Sequence, residues 1–127
     1  MPNRQFVESS PQASVSTPAQ SSIGTSAGVV LSADEKRKGF MIQNTGTTVL
    51  KLAFGPAAAE PTQTVYHIAL QAGTLANDAT GGVYLDDTYT GDVWAISASA
   101  GGTAVVSEFK TGSPDWNQAG DWGTGIR

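Results

Sequence analysis

Residues 36–54 read KRKGFMIQNTGTTVLKLAF, three consecutive positive charges followed by a dense apolar pattern split by Asn44-Thr45-Gly46. Leu50, Leu52 and Phe54 fall on one face of a period of two, and Val49, Lys51 and Ala53 on the other. That period is a strand's, not a helix's. Asn and Gly tolerate positive φ, so Asn44-Thr45-Gly46 predicts a short hairpin loop between two strands. The charges of Lys36, Arg37 and Lys38 admit two readings. They can keep a hydrophobic strand from pairing edge to edge, or they can contact an acidic partner.

The pattern repeats outward from this stretch. GVVLS, TVYHIAL, GGVYLD, DVWAISASA and TAVVSEF are further short runs rich in Val, Ile and aromatics, separated by Gly, Asn, Asp and Pro. Tyr66, Ile68 and Leu70 alternate against Val65, His67 and Ala69. Trp94, Ile96 and Ala98 are expected to point inward, with Ala100-Gly101-Gly102 forming a last hairpin. No stretch carries an amphipathic helix. Many short, regularly spaced strands predict an all-β chain, a single antiparallel β-sandwich of jelly-roll-like or Ig-like type over residues 28–109.

Two segments flank it. Residues 1–27 hold seven Ser and three of the six Pro. Their larger apolar residues are few (Phe6, Val7, Val15, Ile23), so the segment reads as a polar N-terminal arm unable to build a core of its own. Residues 110–127, KTGSPDWNQAGDWGTGIR, form a Gly-rich C-terminal tail with Asp-Trp at 115–116 and 121–122. Each Trp can bury some 150–250 Å², so both are expected either to fold back onto the sandwich or to anchor in a partner.

Charge and composition exclude several classes. The 127-residue chain carries 7 basic against 11 acidic residues, net −4, which argues against a dedicated nucleic-acid binder. Residues 1–51 hold five basic and three acidic residues, residues 52–127 two and eight. Such opposite halves allow self-complementary contacts between copies. With no cysteine, neither a disulfide framework nor a thiolate metal site is available. No apolar leader follows MPNRQ and no run spans a membrane, so a soluble protein made without that export route is expected.

Gly24-Thr25-Ser26-Ala27-Gly28 matches G-x-S-x-G, but it follows a Ser/Pro-rich segment and precedes a strand, the wrong context for a nucleophile turn. His67 is the only histidine and reads as surface or cross-strand paired. The acidic run from Asp86 to Asp92 suits calcium ligation in chemistry but lacks the loop motif's spacing and reads as a turn. Tyr84, Tyr89, Trp94, Trp116 and Trp122 are candidates for stacking on sugar rings. The reading is a non-enzymatic chain with no cofactor and no metal.

Taken in order, KGFMIQNTG, LKLAFG, VYHIALQAG, YTGDVWAIS and AVVSEF form a succession that resembles the small β-sandwich virion proteins of tailed bacteriophages that decorate or cement capsids. The resemblance covers roughly residues 28–109 and does not extend to the flanking segments. It implies a virion location on the capsid exterior, synthesis in the host bacterial cytoplasm, assembly as a homotrimer, and the major capsid protein as partner. Phe6, Lys36, Arg37, Lys38, Trp116 and Trp122 are the expected partner-interface residues. A head–tail or tail-fibre-associated component, or a glycan-binding β-sandwich module, are the competing expectations.

Overall fold

The computed structural model describes residues 13–111, with side chains from residue 18 onward. Its strands are β1 (Ala13–Ile23), β2 (Gly28–Leu31), β3 (Arg37–Asn44), β4 (Leu50–Phe54), β5 (Ile68–Leu70), β6 (Val83–Asp86), β7 (Val93–Ser97) and β8 (Gly102–Thr111). They form two four-stranded sheets, ordered β1-β8-β3-β6 and β2-β7-β4-β5, with every ladder antiparallel. The first strand lies beside the last, β2 beside β7, β3 beside β6 and β4 beside β5. This is the eight-stranded jelly roll, and it decides between the two sandwich types that the strand pattern allowed.

The core lies between the sheets. Phe40, Ile42, Ala104, Val106 and Ile23 face Leu50, Leu52, Leu70, Val93 and Ala95, as alternation within each strand requires. Leu50, Leu52 and Val93 are 0% exposed. Each such side chain contributes about 1.5–3 kcal/mol by its burial.

Several expectations change. Asn44-Thr45-Gly46 does not close a hairpin: β3 pairs with β8 and β6, β4 with β7 and β5, so residues 45–49 cross from one sheet to the other. Positive φ is absent there and occurs at Gly55, Gly101, Asn77 and Ala79 among the described residues. Asn44 is instead a buried tie. Its amide donates to the carbonyls of Thr48 (2.8 Å) and Leu70 (3.2 Å), and its Oδ1 accepts from Gly46 N–H (3.0 Å). Ala100-Gly101-Gly102 likewise joins two sheets, because β7 and β8 belong to different ones. Gly101 supplies the left-handed φ of +88° that a residue with Cβ rarely adopts.

Trp94 and Ile96 also face the other way. Ser97, Ala95 and Val93 stand opposite Leu50, Leu52 and Phe54, whereas Ile96 and Trp94 stand opposite Lys51 and Ala53. The outer face of this sheet is nonetheless apolar, because the β4–β5 connection folds across it. Lys51 Nζ donates to Gln63 O (2.6 Å), Gln63 Nε2 to Ser97 O (2.7 Å) and Trp94 Nε1 to Gly55 O (3.0 Å). Ala53 and Ile96 are left 1% and 5% exposed. Both faces of β7 are therefore apolar, and alternation could not choose between them.

The polar segment 1–27 enters the sandwich from Ala13 on. Its β1 runs along β8 from Ala13↔Thr111 to Ile23↔Gly102. Backbone pairing, with Ile23 as the core anchor at its end, is what holds it. Pro18 is compatible with a strand there because β1 lies at a sheet edge.

Candidate functional site

The end of the β1-β8-β3-β6 sheet where β3 begins gathers the positive triplet and both flanking segments. Ala13 is paired with Thr111 and Arg37 with Lys110, and Thr111 N–H donates to Lys36 O at 2.9 Å. Residues 1–12 and 112–127 thus join the sandwich side by side, next to Lys36. Phe6, Trp116 and Trp122 lie outside the described residues; in the chain they stand seven residues before Ala13, and five and eleven after Thr111.

The triplet itself divides. Lys36 and Lys38 are exposed. Arg37 is 4% exposed and its guanidinium is turned inward. Nε donates to Glu108 Oε2 (2.9 Å), Nη1 to the carbonyls of Gly91 (2.9 Å) and Tyr89 (3.3 Å), and Nη2 to Ser32 O (2.6 Å). The planar fork thereby ties the β2–β3 link, the β6–β7 loop and β8 together, with Phe40 beneath it at 5.5 Å. Arg37 is a structural tie, and the outward charge of the triplet is that of two lysines. Lys110 extends the network, 2.8 Å from Asp34 and 3.6 Å from Glu108. The Lys110 hydrogen bond, helped by the Lys36 backbone N–H, holds the Asp34 carboxyl below its ordinary value.

The acidic run Asp86 to Asp92 is a turn held together largely by Asp86. Asp86 Oδ1 accepts from the N–H groups of Tyr89 (2.7 Å) and Thr88 (2.8 Å), and Oδ2 accepts from Tyr84 OH (3.0 Å). Asp92 Oδ1 accepts from Ala33 N–H (2.7 Å). Among the described residues no three His, Cys, Asp or Glu side chains converge as a metal site would need. The tyrosine faces are used internally: Tyr84 stacks on Phe54 (5.2 Å), and Tyr89 meets Phe54 edge-on (5.7 Å). His67 stacks on Phe54 (5.6 Å) and accepts Phe54 N–H on Nδ1 (3.0 Å). Gly24 to Ala27 link β1 to β2, and Gly28 opens β2.

Among the described residues three carboxyls titrate below their ordinary value of 3.8: Asp34, Asp78 and Asp86. For Asp86, burial pushes upward most strongly but is outweighed by hydrogen bonds from Tyr89, Thr88 and Tyr84. For Asp78 the Thr80 side chain and backbone lead. The unfolded chain therefore binds these protons first as pH falls. Their stabilisation is complete above the ordinary carboxylate value and is lost as pH drops through the folded values. The urea midpoint is expected to hold between about pH 7 and 5 and to fall between about pH 4 and 2. Asp86→Asn should flatten that acid limb; an unchanged limb would discount Asp86.

Sequence reasoning missed a surface. On the outer face of the same sheet Leu85 stands opposite Met41, and Val83 opposite Gln43. Leu85 and Val83 remain 67% and 47% exposed. Beside them lies an open groove of about 490 Å³, lined by Lys38, Gly39, Phe40, Leu85, Asp86, Asp87 and Phe109. Val83-Tyr84-Leu85 reads as apolar on both faces, so its period marked no exposed side; the exposure follows from which neighbours the topology supplies.

No protein-family model matches the chain, and no curated protein matches it. Among solved structures it is similar to one described under "Bacillus endospore appendages form a novel family of disulfide-linked pili", with a TM-score of 0.48 and 9% identity over 88% of this chain and 100% of that one. A likeness at that level carries no functional argument.

Proposed function

We propose that the chain is a non-enzymatic structural protein of a tailed-phage virion that decorates or cements the capsid by binding assembled major capsid protein, as a trimer on the capsid exterior. The observation that supports this reading best is the convergence at one pole of the jelly roll. Both flanking segments, bearing Phe6, Trp116 and Trp122, join the body beside the exposed Lys36 and Lys38. A rigid body with its attachment elements at one end suits a protein that straps across neighbouring subunits. Binding the assembled shell alone shifts the assembly equilibrium towards it. Several weak contacts per copy add up through avidity.

The test is co-sedimentation with intact capsids of the full chain and of a truncation lacking residues 2–12 and 112–127. The sandwich from Ala13 to Thr111 keeps its strands in that truncation, whereas a cut after residue 27 would remove β1. Loss of capsid binding by a folded truncation is expected. Binding equal to the full chain's would refute attachment through the pole. Recovery at only a few copies per particle would instead indicate a head–tail or tail-fibre component.

A further inference from the structure

We propose that the groove beside Leu85 seats the indole of Trp116 from the same chain. The groove runs over Gly39, between Phe109 of β8 and Leu85 to Asp87 at the end of β6 and just beyond it. Its floor is bare because Gly39 runs too close to β6 for a side chain: a Cβ there would meet Asp86 O at 2.9 Å. Phe109 and the 67%-exposed Leu85 form apolar walls, which suit a flat aromatic ring that loses water on both faces.

The chain's own course selects the occupant. Phe109 lines the groove two residues before Thr111, and residues 112–116, GSPDW, follow directly. Five residues reach at most about 17 Å. The groove lies within the two strand spacings that separate β8 from β6 in the order β8-β3-β6, about 10 Å. Trp116, the first aromatic side chain after Thr111, is therefore within reach of it. A tether this short presents the ring at an effective concentration on the order of mM. Charge agrees with the assignment. Lys38 on the rim makes no ion pair among the described residues, and Asp115 precedes the indole. Asp87 on the same rim directs Asp115 to the Lys38 side. The inference stands independently of any capsid. It would leave Trp122, six residues farther on, as the outward anchor.

Fluorine NMR of the full chain labelled with fluorotryptophan tests it, because the chain has three tryptophans and Trp116→Phe identifies one signal. The Trp116 signal is expected away from the free-indole position and shielded from a soluble paramagnetic probe. Leu85→Glu should return it to the free position with loss of shielding. An unchanged Trp94 signal in that variant certifies an intact sandwich, since Trp94 lies on the other sheet. A Trp116 signal at the free position in the unaltered chain overturns the proposal, as does displacement that survives Leu85→Glu. Displacement of Trp122 in place of Trp116 overturns the choice of residue. Displacement that fades on dilution overturns the same-chain assignment and gives the groove to a second copy.

Discussion

Arg37→Met is expected to destabilise the fold by about 3 kcal/mol, the low end of the cost of removing one partner from a buried ion pair, because the Glu108 side chain keeps 20% of its surface in water. Whole domains of this kind are stable by only about 5–15 kcal/mol, so the urea midpoint should fall by a large fraction. The loss has several parts. Glu108 keeps only the longer contact with Lys110 at 3.6 Å. The carbonyls of Ser32, Tyr89 and Gly91 lose the donors that Arg37 provides. Arg37→Lys should recover only part of the stability, since an ammonium cannot present a fork of donors to three segments at once. Lys36→Glu with Lys38→Glu, both at exposed positions, should stay within about 0.5 kcal/mol of the parent at each site. Equal midpoints for Arg37→Met and the parent would show that the guanidinium is not the tie described. The contrast bears on attachment too: reversing all three charges would confound unfolding with lost binding, whereas reversing the two lysines leaves the body intact.

Asn44→Ala should cost about 2–4 kcal/mol, because each buried polar group left without its partner costs about 1–3 kcal/mol. Thr48 O, Leu70 O and Gly46 N–H all lose the side chain they use. The sharper experiment is Asn44→Asp. Were Asn44 a hairpin-turn residue, Asp would serve nearly as well, since both suit turns. In the jelly roll, Asp can still accept from Gly46 N–H but cannot donate to two carbonyls, and it places a carboxylate against them in a site that is 1% exposed. The Asp variant is therefore expected to be at least as unstable at pH 7 as the Ala variant. A near-neutral Asp variant would restore the hairpin reading.

Both predictions sit in the stretch that discloses the fold class. The period of two at Leu50, Leu52 and Phe54 is legible because inward and outward residues differ in polarity there. At β7 the same reasoning chose the wrong face: Trp94 and Ile96 are as apolar as Val93 and Ala95, and the covering loop lies far off in sequence, tied by Gln63 to Ser97. In β1, ASVSTPAQSSI, there is almost no apolar period to read, and the strand is created by an open edge on β8. Turn residues behave similarly. Asn44 and Gly101 mark where the chain reverses, but turn chemistry is local and says nothing about which sheet the next strand joins.

Of the residues proposed for attachment, the chemistry was visible in the letters: the positive triplet Lys36-Arg37-Lys38, Phe6 in a polar segment, and Trp116 and Trp122 among glycines. That only Lys36 and Lys38 of the triplet face outward was not. Sequence alone determined that this is an all-β chain of short amphipathic strands, because side-chain polarity repeats every two residues and that is a local property. Tertiary structure decided the jelly-roll order, the inward turn of Arg37, and the meeting of residues 13, 36 and 111 at one pole. Those depend on pairing between strands distant in the chain, as between β1 and β8, where backbone hydrogen bonds carry no residue-specific signal and burial is set by whatever neighbour the topology brings.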